Sequence, residues 1–314
     1  MTGTIKKLLF VILALAMLFS LNVYAFAENE TEIDKPFADS EFFTDGDYSI
    51  HYRVIPAEGE RKGRILFIHG FLYSGSTWND TAKEISAQGY DCVLADLPDF
   101  GYSTRETFDT NYISREQLMT DLMESIAPLS EWIVAGHSMG GGIASNIAVS
   151  HPEIKALMLY APAVQSKVSP LFEKAARNDK LMNSMQKIAN AVLSINIIVK
   201  FAAGYTARDW QYGMKYDASI LSEPLKIDGT MRGICVQYAR SEQTDTESLA
   251  NINIPVLLVW ASNDVVLGSS DTSAFSKVLD GKAQTHYVDG GHIFIESQAH
   301  KTADITLGFL SEVS

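Results

Sequence analysis

Two cysteines in a chain of 314 residues are too few for a disulfide framework. Cys92 lies in an apolar run and Cys235 in a helical pattern, so we expect two buried free thiols. Basic residues are also scarce, since 25 Lys and Arg stand against 38 Asp and Glu and give a net charge of −13. This acidity argues against nucleic acid as a partner, because it repels phosphate backbones. Internal repeats and low-complexity tracts are absent, which excludes a repeat array.

The long hydrophobic run of the sequence stands at the N-terminus. Lys6 and Lys7 precede an uncharged stretch, Leu8–Ala25, and Ala25-Phe26-Ala27 presents small residues at the positions that a signal peptidase reads. We interpret residues 1–27 as a signal peptide cleaved after Ala27, and we expect a secreted protein with a net charge of −15. The alternative is an N-terminal membrane anchor, because the run approaches the length that spans a bilayer.

Apolar strands and amphipathic helices alternate along most of the remaining chain. After a polar leader, residues 42–55 alternate around Asp45-Gly46-Asp47 and predict a β-hairpin. Further strands are predicted over residues 64–68, 91–95, 132–135, 156–160, 254–260 and 283–288, with helices over residues 78–88, after a capping box at Ser114-Arg-Glu-Gln117, after Ser138 and at the C-terminus. This order predicts an α/β fold with a mostly parallel twisted sheet of about eight strands and helices on both faces.

The alternation stops between residues 163 and 251. Apolar residues there follow helical spacing, and a structureless loop of this length is improbable in a compact domain. We therefore predict a helical lid at residues 163–251, inserted between two parts of an α/β core at residues 28–162 and 252–314.

The stretch Gly136-His137-Ser138-Met139-Gly140 follows an apolar strand and precedes a helix. A serine at the tip of such a turn has an accessible hydroxyl, and glycines two residues on either side avoid a collision with neighbouring backbone. The N–H groups of the helix N-terminus point at charge that develops beside the serine. The pattern favours Ser138 as a nucleophile. It arises by chance in about one chain in ten of this length, so other motifs must decide.

Three further motifs stand at the ends of predicted strands. Ile68-His69-Gly70-Phe71 ends the first strand of the repeat, Asp264 follows the strand that ends at Trp260, and Gly290-Gly291-His292 follows the last strand. With these motifs, the chain from about residue 42 to the C-terminus resembles the α/β-hydrolase superfamily. It is similar to the lidded esterases, lipases and serine aminopeptidases of that superfamily, which use the same order of nucleophile, acid and histidine.

The resemblance implies a Ser-His-Asp mechanism that needs no metal or organic cofactor. His292 would take the Ser138 proton, Asp264 would orient His292, and an acyl-enzyme would form on Ser138. The backbone N–H groups of Phe71 and Met139 would form the oxyanion hole.

Neighbouring polar residues receive structural interpretations. We expect His69 to shape the oxyanion loop, His137 to pack beside the nucleophile, and Asp289 to serve a turn. Asp99 stands where the family commonly has glycine. Since aspartate tolerates left-handed backbone better than most residues, the turn can survive.

The predicted lid is basic on an acidic body. Residues 163–240 contain eleven Lys and Arg and six Asp and Glu. We hypothesise that this face approaches an anionic membrane surface or an anionic substrate group; the alternative is charge complementarity between lid and body. Large apolar lid residues would either line an acyl pocket or pack the lid on the body: Phe172, Met182, Met185, Phe201, Trp210, Tyr212 and Met214.

Taken together, these features predict a secreted hydrolase of carboxylic esters, with a small-molecule or lipid ester as substrate. A serine aminopeptidase is the nearest alternative, in which a lid acid such as Glu173, Asp209 or Glu223 would hold the substrate amine. A different class is a protein that retains the hydrolase scaffold to bind a small ligand. Haloalkane dehalogenases and epoxide hydrolases of this fold use an aspartate nucleophile, so Ser138 argues against both.

Overall fold

The computed structural model describes residues 35–165, 171–240 and 242–313, with the side chains of residues 269–271 left out. The predicted signal peptide, residues 1–27, lies outside the described residues.

Eight strands form one sheet. They are β1 (Ser40–Asp45), β2 (Tyr48–Ile55), β3 (Gly63–Ile68), β4 (Tyr90–Ala95), β5 (Trp132–His137), β6 (Ala156–Tyr160), β7 (Val256–Ala261) and β8 (Ala283–Val288). Their order is β1-β2-β4-β3-β5-β6-β7-β8. The pairs β1–β2 and β2–β4 are antiparallel, and all other neighbouring pairs are parallel. The predicted mostly parallel sheet and the N-terminal hairpin are confirmed.

The central strands are buried along their whole length. Every residue of β5 and β6 is buried. Because successive side chains of a strand point to opposite faces, this burial shows that both faces of the sheet are covered. The parallel strands therefore end at one common edge, where the loops after β3, β5, β7 and β8 can meet.

Helices connect and cover these strands. They are α1 (Asn79–Ser86), α2 (Arg115–Ile126), α3 (Met139–Ser150), α4 (Leu171–Ala176), α5 (Asp179–Leu193), α6 (Asn196–Ala207), α7 (Trp210–Lys215), α8 (Ala218–Lys226), α9 (Thr230–Arg240), α10 (Ser269–Val278), α11 (Phe294–Ser297) and α12 (Ala299–Val313). Short 3₁₀ helices lie at Gly75–Trp78, Leu129–Glu131 and Ser248–Asn251. The segment between β6 and β7 is helical wherever it forms regular structure in the described residues, as predicted.

Local signals behave largely as the sequence indicates. Ser114 caps α2 by accepting a hydrogen bond from the N–H of Gln117 at 3.0 Å. The Gln117 side chain instead donates to Asp121 at 2.7 Å, so only half of the capping box forms. Cys92 and Cys235 are both free and buried, as expected.

Candidate active site

Ser138 occupies the turn between β5 and α3. Its φ and ψ of 53° and −118° are values that residues with a side chain rarely adopt. A Cβ on Gly136 would lie 2.2 Å from the carbonyl oxygen of Gly140, and one on Gly140 would lie 2.5 Å from that of His69. Only glycine therefore fits on both sides of this turn.

Three side chains from separate loops form a hydrogen-bonded series. Oγ of Ser138 lies 2.9 Å from Nε2 of His292, and Nδ1 of His292 donates to Oδ2 of Asp264 at 2.7 Å. Because Nδ1 carries the proton, Nε2 of the neutral ring is left as an acceptor for the serine hydroxyl. The structure thus brings together the three side chains that the sequence motifs indicate.

The main chain holds Asp264 in place. Its Oδ1 accepts hydrogen bonds from the N–H groups of Val266 at 2.8 Å and Leu267 at 2.9 Å. Burial opposes the charge of this carboxyl, but the hydrogen bond from His292 and the two N–H groups outweigh burial and lower the pKa of Asp264. The group is therefore a carboxylate at neutral pH, able to orient a histidine.

Asp289, the nearest rival acid, serves a turn. Its Oδ1 accepts from the Ser262 hydroxyl at 3.0 Å and from the Asn263 amide at 3.2 Å. The expectation from sequence, a turn residue, matches this placement.

The loop after β3 passes directly beside the serine. A Cβ on Gly70 would lie 2.9 Å from Nδ1 of His137 and 3.1 Å from Cβ of Ser138. In the described residues, the backbone N–H groups of Phe71 and Met139 donate no hydrogen bond. These N–H groups follow Gly70 and Ser138 directly in the chain, and uncommitted donors are what an oxyanion hole needs.

His69 fixes this loop from behind. Its Nε2 accepts from the N–H of Leu97 at 2.9 Å, so Nδ1 carries the proton and donates to the carbonyl oxygen of Gly70 at 2.7 Å. Burial lowers the pKa of His69, which keeps the ring neutral. The structure therefore gives His69 the loop-shaping place expected from the sequence.

Known proteins share this fold. The sequence profile of the alpha/beta hydrolase fold matches residues 63–299. The chain belongs to the alpha/beta hydrolase fold family.

Relatives of this hydrolase include Lipase 3 of Moraxella sp. (strain TA144), which is 27% identical over 250 residues, 76% of this chain and 75% of the lipase. The enol-lactonase from Burkholderia xenovorans LB400 superposes with a TM-score of 0.66 at 17% identity, over 86% of this chain and 100% of the lactonase chain. A membrane phospholipase A described as a bacterial virulence factor gives a TM-score of 0.65 at 22% identity, over 98% and 94% of the two chains. The two solved structures share the fold.

His137 contacts the hydrolase's His292 loop directly, a contact that sequence reasoning missed. Its Nε2 donates to the backbone carbonyl oxygen of His292 at 2.9 Å, and the two ring centroids lie 4.7 Å apart. Burial, followed by the neighbouring His292, lowers the pKa of His137 to about 3. Since the partners are 155 residues apart in sequence, no local pattern could indicate this bond.

Helix α9 belongs to the helical segment between β6 and β7 that the sequence predicts as a lid, and it covers the side of Ser138 on which Phe71 and Met139 lie. Gln237 is buried and places Nε2 2.9 Å from Sδ of Met139, while its Oε1 is buried with no hydrogen-bond partner in the described residues. The ring of Tyr238 packs on that of Phe71 with centroids 5.5 Å apart, and Phe172 stacks on Tyr238 at 5.2 Å. Phe172 thus packs on another side chain of the inserted segment, and Tyr238 makes the contact with Phe71.

The C-terminal turn of α6 covers the histidine side. The N–H of Gly291 donates to the carbonyl oxygen of Ala207 at 2.8 Å. A Cβ on Gly291 would lie 2.1 Å from the carbonyl oxygen of Thr206. Ser138 is only 7% exposed and His292 only 4%. Both side chains are therefore almost completely covered in this structure.

Three apolar lid residues depart from both sequence expectations. Phe201, Trp210 and Met214 neither line a pocket nor pack the lid on the body, because each is more than half exposed to solvent. The expectation was wrong for Phe201 because α6 buries its opposite side, through Val199 and Ala203. It was wrong for Trp210 and Met214 because the residue that α7 buries is Gly213.

The three lid acids considered for amine binding have other partners. Glu173 pairs with Arg177 at 3.0 Å, and Glu223 pairs with Lys226 at 2.9 Å. Asp209 caps α7 by accepting from two backbone N–H groups at 2.9 and 3.0 Å. None of the three contacts Ser138 or His292 in the described structure.

Asp99 keeps the turn that the family commonly builds with glycine. Its φ of 74° is left-handed, as expected. Its buried carboxyl accepts from Arg115 at 2.9 Å, and Arg115 also binds Glu106 at 2.6 Å. A Cβ on Gly233 of α9 would lie 2.0 Å from Oδ1 of Asp99, so this side chain also packs against the lid.

A group of potential metal ligands lies on the surface. Ligand atoms of Glu84, His300 and Asp304 are within 4.8 Å of one another, on α1 and α12. The group shares no residue with the series at Ser138.

Proposed function

We propose that the protein is a secreted serine hydrolase that cleaves carboxylic esters. The observation that carries this proposal is the hydrogen-bonded series from Ser138 through His292 to Asp264. It lies at a strained strand-to-helix turn, beside two uncommitted backbone N–H groups and beneath a helical lid.

The geometry supports a two-step mechanism. As Oγ of Ser138 attacks the ester carbonyl, Nε2 of His292 takes the hydroxyl proton, and the Asp264 carboxylate stabilises the resulting imidazolium. The oxyanion binds the N–H groups of Phe71 and Met139, each worth about 3 kcal/mol of barrier.

Collapse of the tetrahedral intermediate breaks the ester C–O bond, and His292 gives its proton to the departing alcohol. Water then attacks the acyl-enzyme while His292 takes a proton from it. The second collapse frees the carboxylic acid and returns the proton to Ser138.

An ester substrate is supported over a peptide. Glu173 and Glu223 pair with basic side chains and Asp209 caps α7, so none of these three acids is free to hold a substrate amine. The Moraxella relative is named a lipase, which supports ester chemistry. A purely ligand-binding role would not need the aligned series at Ser138.

Kinetics on paired chromogenic substrates test this proposal. We expect wild-type protein to hydrolyse p-nitrophenyl acyl esters far faster than aminoacyl p-nitroanilides, and Ser138→Ala to lose both activities. Faster anilide cleavage would favour an aminopeptidase, and no Ser138-dependent turnover of either substrate would contradict the proposal.

Secretion rests on the sequence of residues 1–27. We expect the extracellular protein to begin at Glu28, which N-terminal sequencing would show. A cell-bound protein that retains residues 1–27 would instead support the membrane anchor.

A further inference from the structure

Exposed large apolar side chains concentrate on the lid. Thirteen such side chains are exposed in the described residues, and nine of them lie between residues 171 and 214. Five residues form the surface that we call the α6–α7 apolar face: Ile197, Phe201, Tyr205, Trp210 and Met214, each 44–56% exposed. Single exposed apolar residues are ordinary, whereas a contiguous group marks a binding surface.

Helical spacing makes this face continuous. Ile197, Phe201 and Tyr205 follow one another at intervals of four residues, as do Trp210 and Met214, so each set lies along one side of its helix. The Phe201 and Trp210 rings, with centroids 5.7 Å apart, join the two sets.

Helix α6, which carries three of the five residues of the face, is strongly apolar together with the helix before it, α5. In the described residues no single helix is long and apolar enough to cross a bilayer, whereas α5 and α6 together reach that length and hydropathy but meet at an 85° bend. Such a pair suits helices that lie along an interface, with one side in the lipid and the other on the protein.

Cations accompany the apolar side chains. Residues 195–215 contain Lys200, Arg208 and Lys215 and a single acid, Asp209. The Asp209 carboxylate is occupied at the N-terminus of α7. Lys200 reaches across from α6 and donates to the carbonyl oxygen of Met214 at 3.0 Å, so its charge lies at the apolar face.

These cations do not attach the lid to the acidic body. Among the described ion pairs, the pair between Arg240 and Glu106, at 3.8 Å, is the one that joins a lid cation to a core acid. Lys200, Arg208 and Lys215 form no described salt bridge. Their charge is therefore available to an external anionic partner.

We infer that the α6–α7 apolar face docks on the surface of an anionic phospholipid bilayer. Apolar area and clustered cations are the two terms that hold a peripheral helix at such a surface. The same α6 contacts Gly291 beside His292, so docking places the candidate active site next to the lipid. That this delivers a lipid ester to Ser138 rests on the proposed function, whereas the docking itself does not.

Trp210 is a built-in reporter of this contact. The other tryptophans, Trp78, Trp132 and Trp260, are at most 3% exposed, so quenching by lipid reports on Trp210. The chain from Glu28 onward, carrying Ser138→Ala so that it cannot consume the lipid by the proposed route, is titrated with phosphatidylcholine vesicles with and without phosphatidylglycerol, all with brominated acyl chains. We expect quenching with the anionic vesicles, weak quenching with the zwitterionic vesicles, and none in Trp210→Phe.

Matched variants separate the docking surface from unspecific adsorption. We expect Phe201→Ser to raise the lipid concentration at half-maximal quenching at least about tenfold, and the double variant Lys200→Gln with Lys215→Gln to do the same. Tyr287→Ser and the pair Lys62→Gln and Lys301→Gln make comparable changes at exposed positions outside residues 163–251, and they should leave the lipid concentration at half-maximal quenching unchanged. All these variants should keep wild-type turnover of a soluble short-chain ester when Ser138 is present.

Three results would overturn the inference: no quenching of Trp210 by vesicles that bind the chain, quenching that is independent of lipid charge, or light scattering that shows a dimer burying Trp210. Docking without esterase activity would instead contradict the proposed function and still support the α6–α7 apolar face as a docking surface.

Discussion

Nε2 of His137 donates to the main-chain carbonyl oxygen of His292 at 2.9 Å, which joins the residue before the proposed nucleophile to the proposed base. This bond crosses from the loop after β5 to the loop after β8. It fixes the height of the His292 main chain above the sheet and, with the Asp264 bond, the direction of the ring.

His137 is therefore expected to act as a positioning residue. Because His137→Phe removes the donor and leaves a buried carbonyl unpaired, we expect kcat to fall roughly tenfold with KM little changed. His137→Gln, which can still donate, should recover most of this loss. Equal kcat in all three proteins, each shown to be folded by circular dichroism, would contradict the positioning role.

The two candidate acids separate in a paired experiment. Asp264→Asn exchanges the acceptor of the His292 Nδ1–H for an amide, and we expect kcat to fall about 10³- to 10⁴-fold. Asp289→Asn makes the same change in the turn and should retain wild-type kcat. Comparable losses in both variants would remove Asp264 from its assigned place.

Gly70 leaves no room for a methyl group. Gly70→Ala would place a Cβ 3.1 Å from that of Ser138 and 2.9 Å from Nδ1 of His137, so the loop must move and carry the Phe71 N–H with it. We expect kcat to fall about 10²-fold, as for loss of one oxyanion donor. Gly308→Ala, where a new Cβ meets nothing within 4 Å, is the control. Undiminished turnover by Gly70→Ala would argue against the Phe71 donor.

Glu296 predicts a pH dependence of stability. Its Oε2 is buried with no hydrogen-bond partner in the described residues, and burial raises the pKa of Glu296 from 4.5 to about 7. An acid whose pKa is higher in the folded than in the unfolded state costs stability as pH rises through that range, here roughly 3 kcal/mol. We expect the Tm of Glu296→Gln to fall less than the Tm of wild type between pH 4.5 and 8. Parallel Tm curves for the two proteins would refute this, and Glu124→Gln, exposed on α2, should follow wild type.

The sequence predicted those features of the fold and of the candidate site that depend on local signals. Strands such as Ile65–Ile68 and Val256–Trp260 are continuous apolar runs, and Ser138 and Asp264 each follow such a strand within a few residues. His292 follows the mixed strand Ala283–Val288 after a short Gly-rich turn. These signals are local, so strand-helix alternation was enough to predict the α/β fold. The resemblance of the motifs to the α/β-hydrolase superfamily then selected the residues that the structure brings together.

The remaining features depend on packing between distant segments. The bond from His137 to His292, the burial of Glu296 and the contact of Gln237 with Met139 each join elements far apart in the chain. Periodicity identified the lid helices but not which side they bury, so the exposure of Phe201 and Trp210 emerged only from the assembled structure.

Covalent labelling tests the central claim most directly. Wild-type protein is incubated with an alkyl fluorophosphonate, and the adduct is located by intact-mass and peptide mass spectrometry. We expect one phosphonyl group per chain, on Ser138, with loss of esterase activity in step with labelling. Ser138→Ala should remain unlabelled, and His292→Ala should label far more slowly. A folded wild-type protein that takes up no label, or takes it up at a residue other than Ser138, would contradict the account.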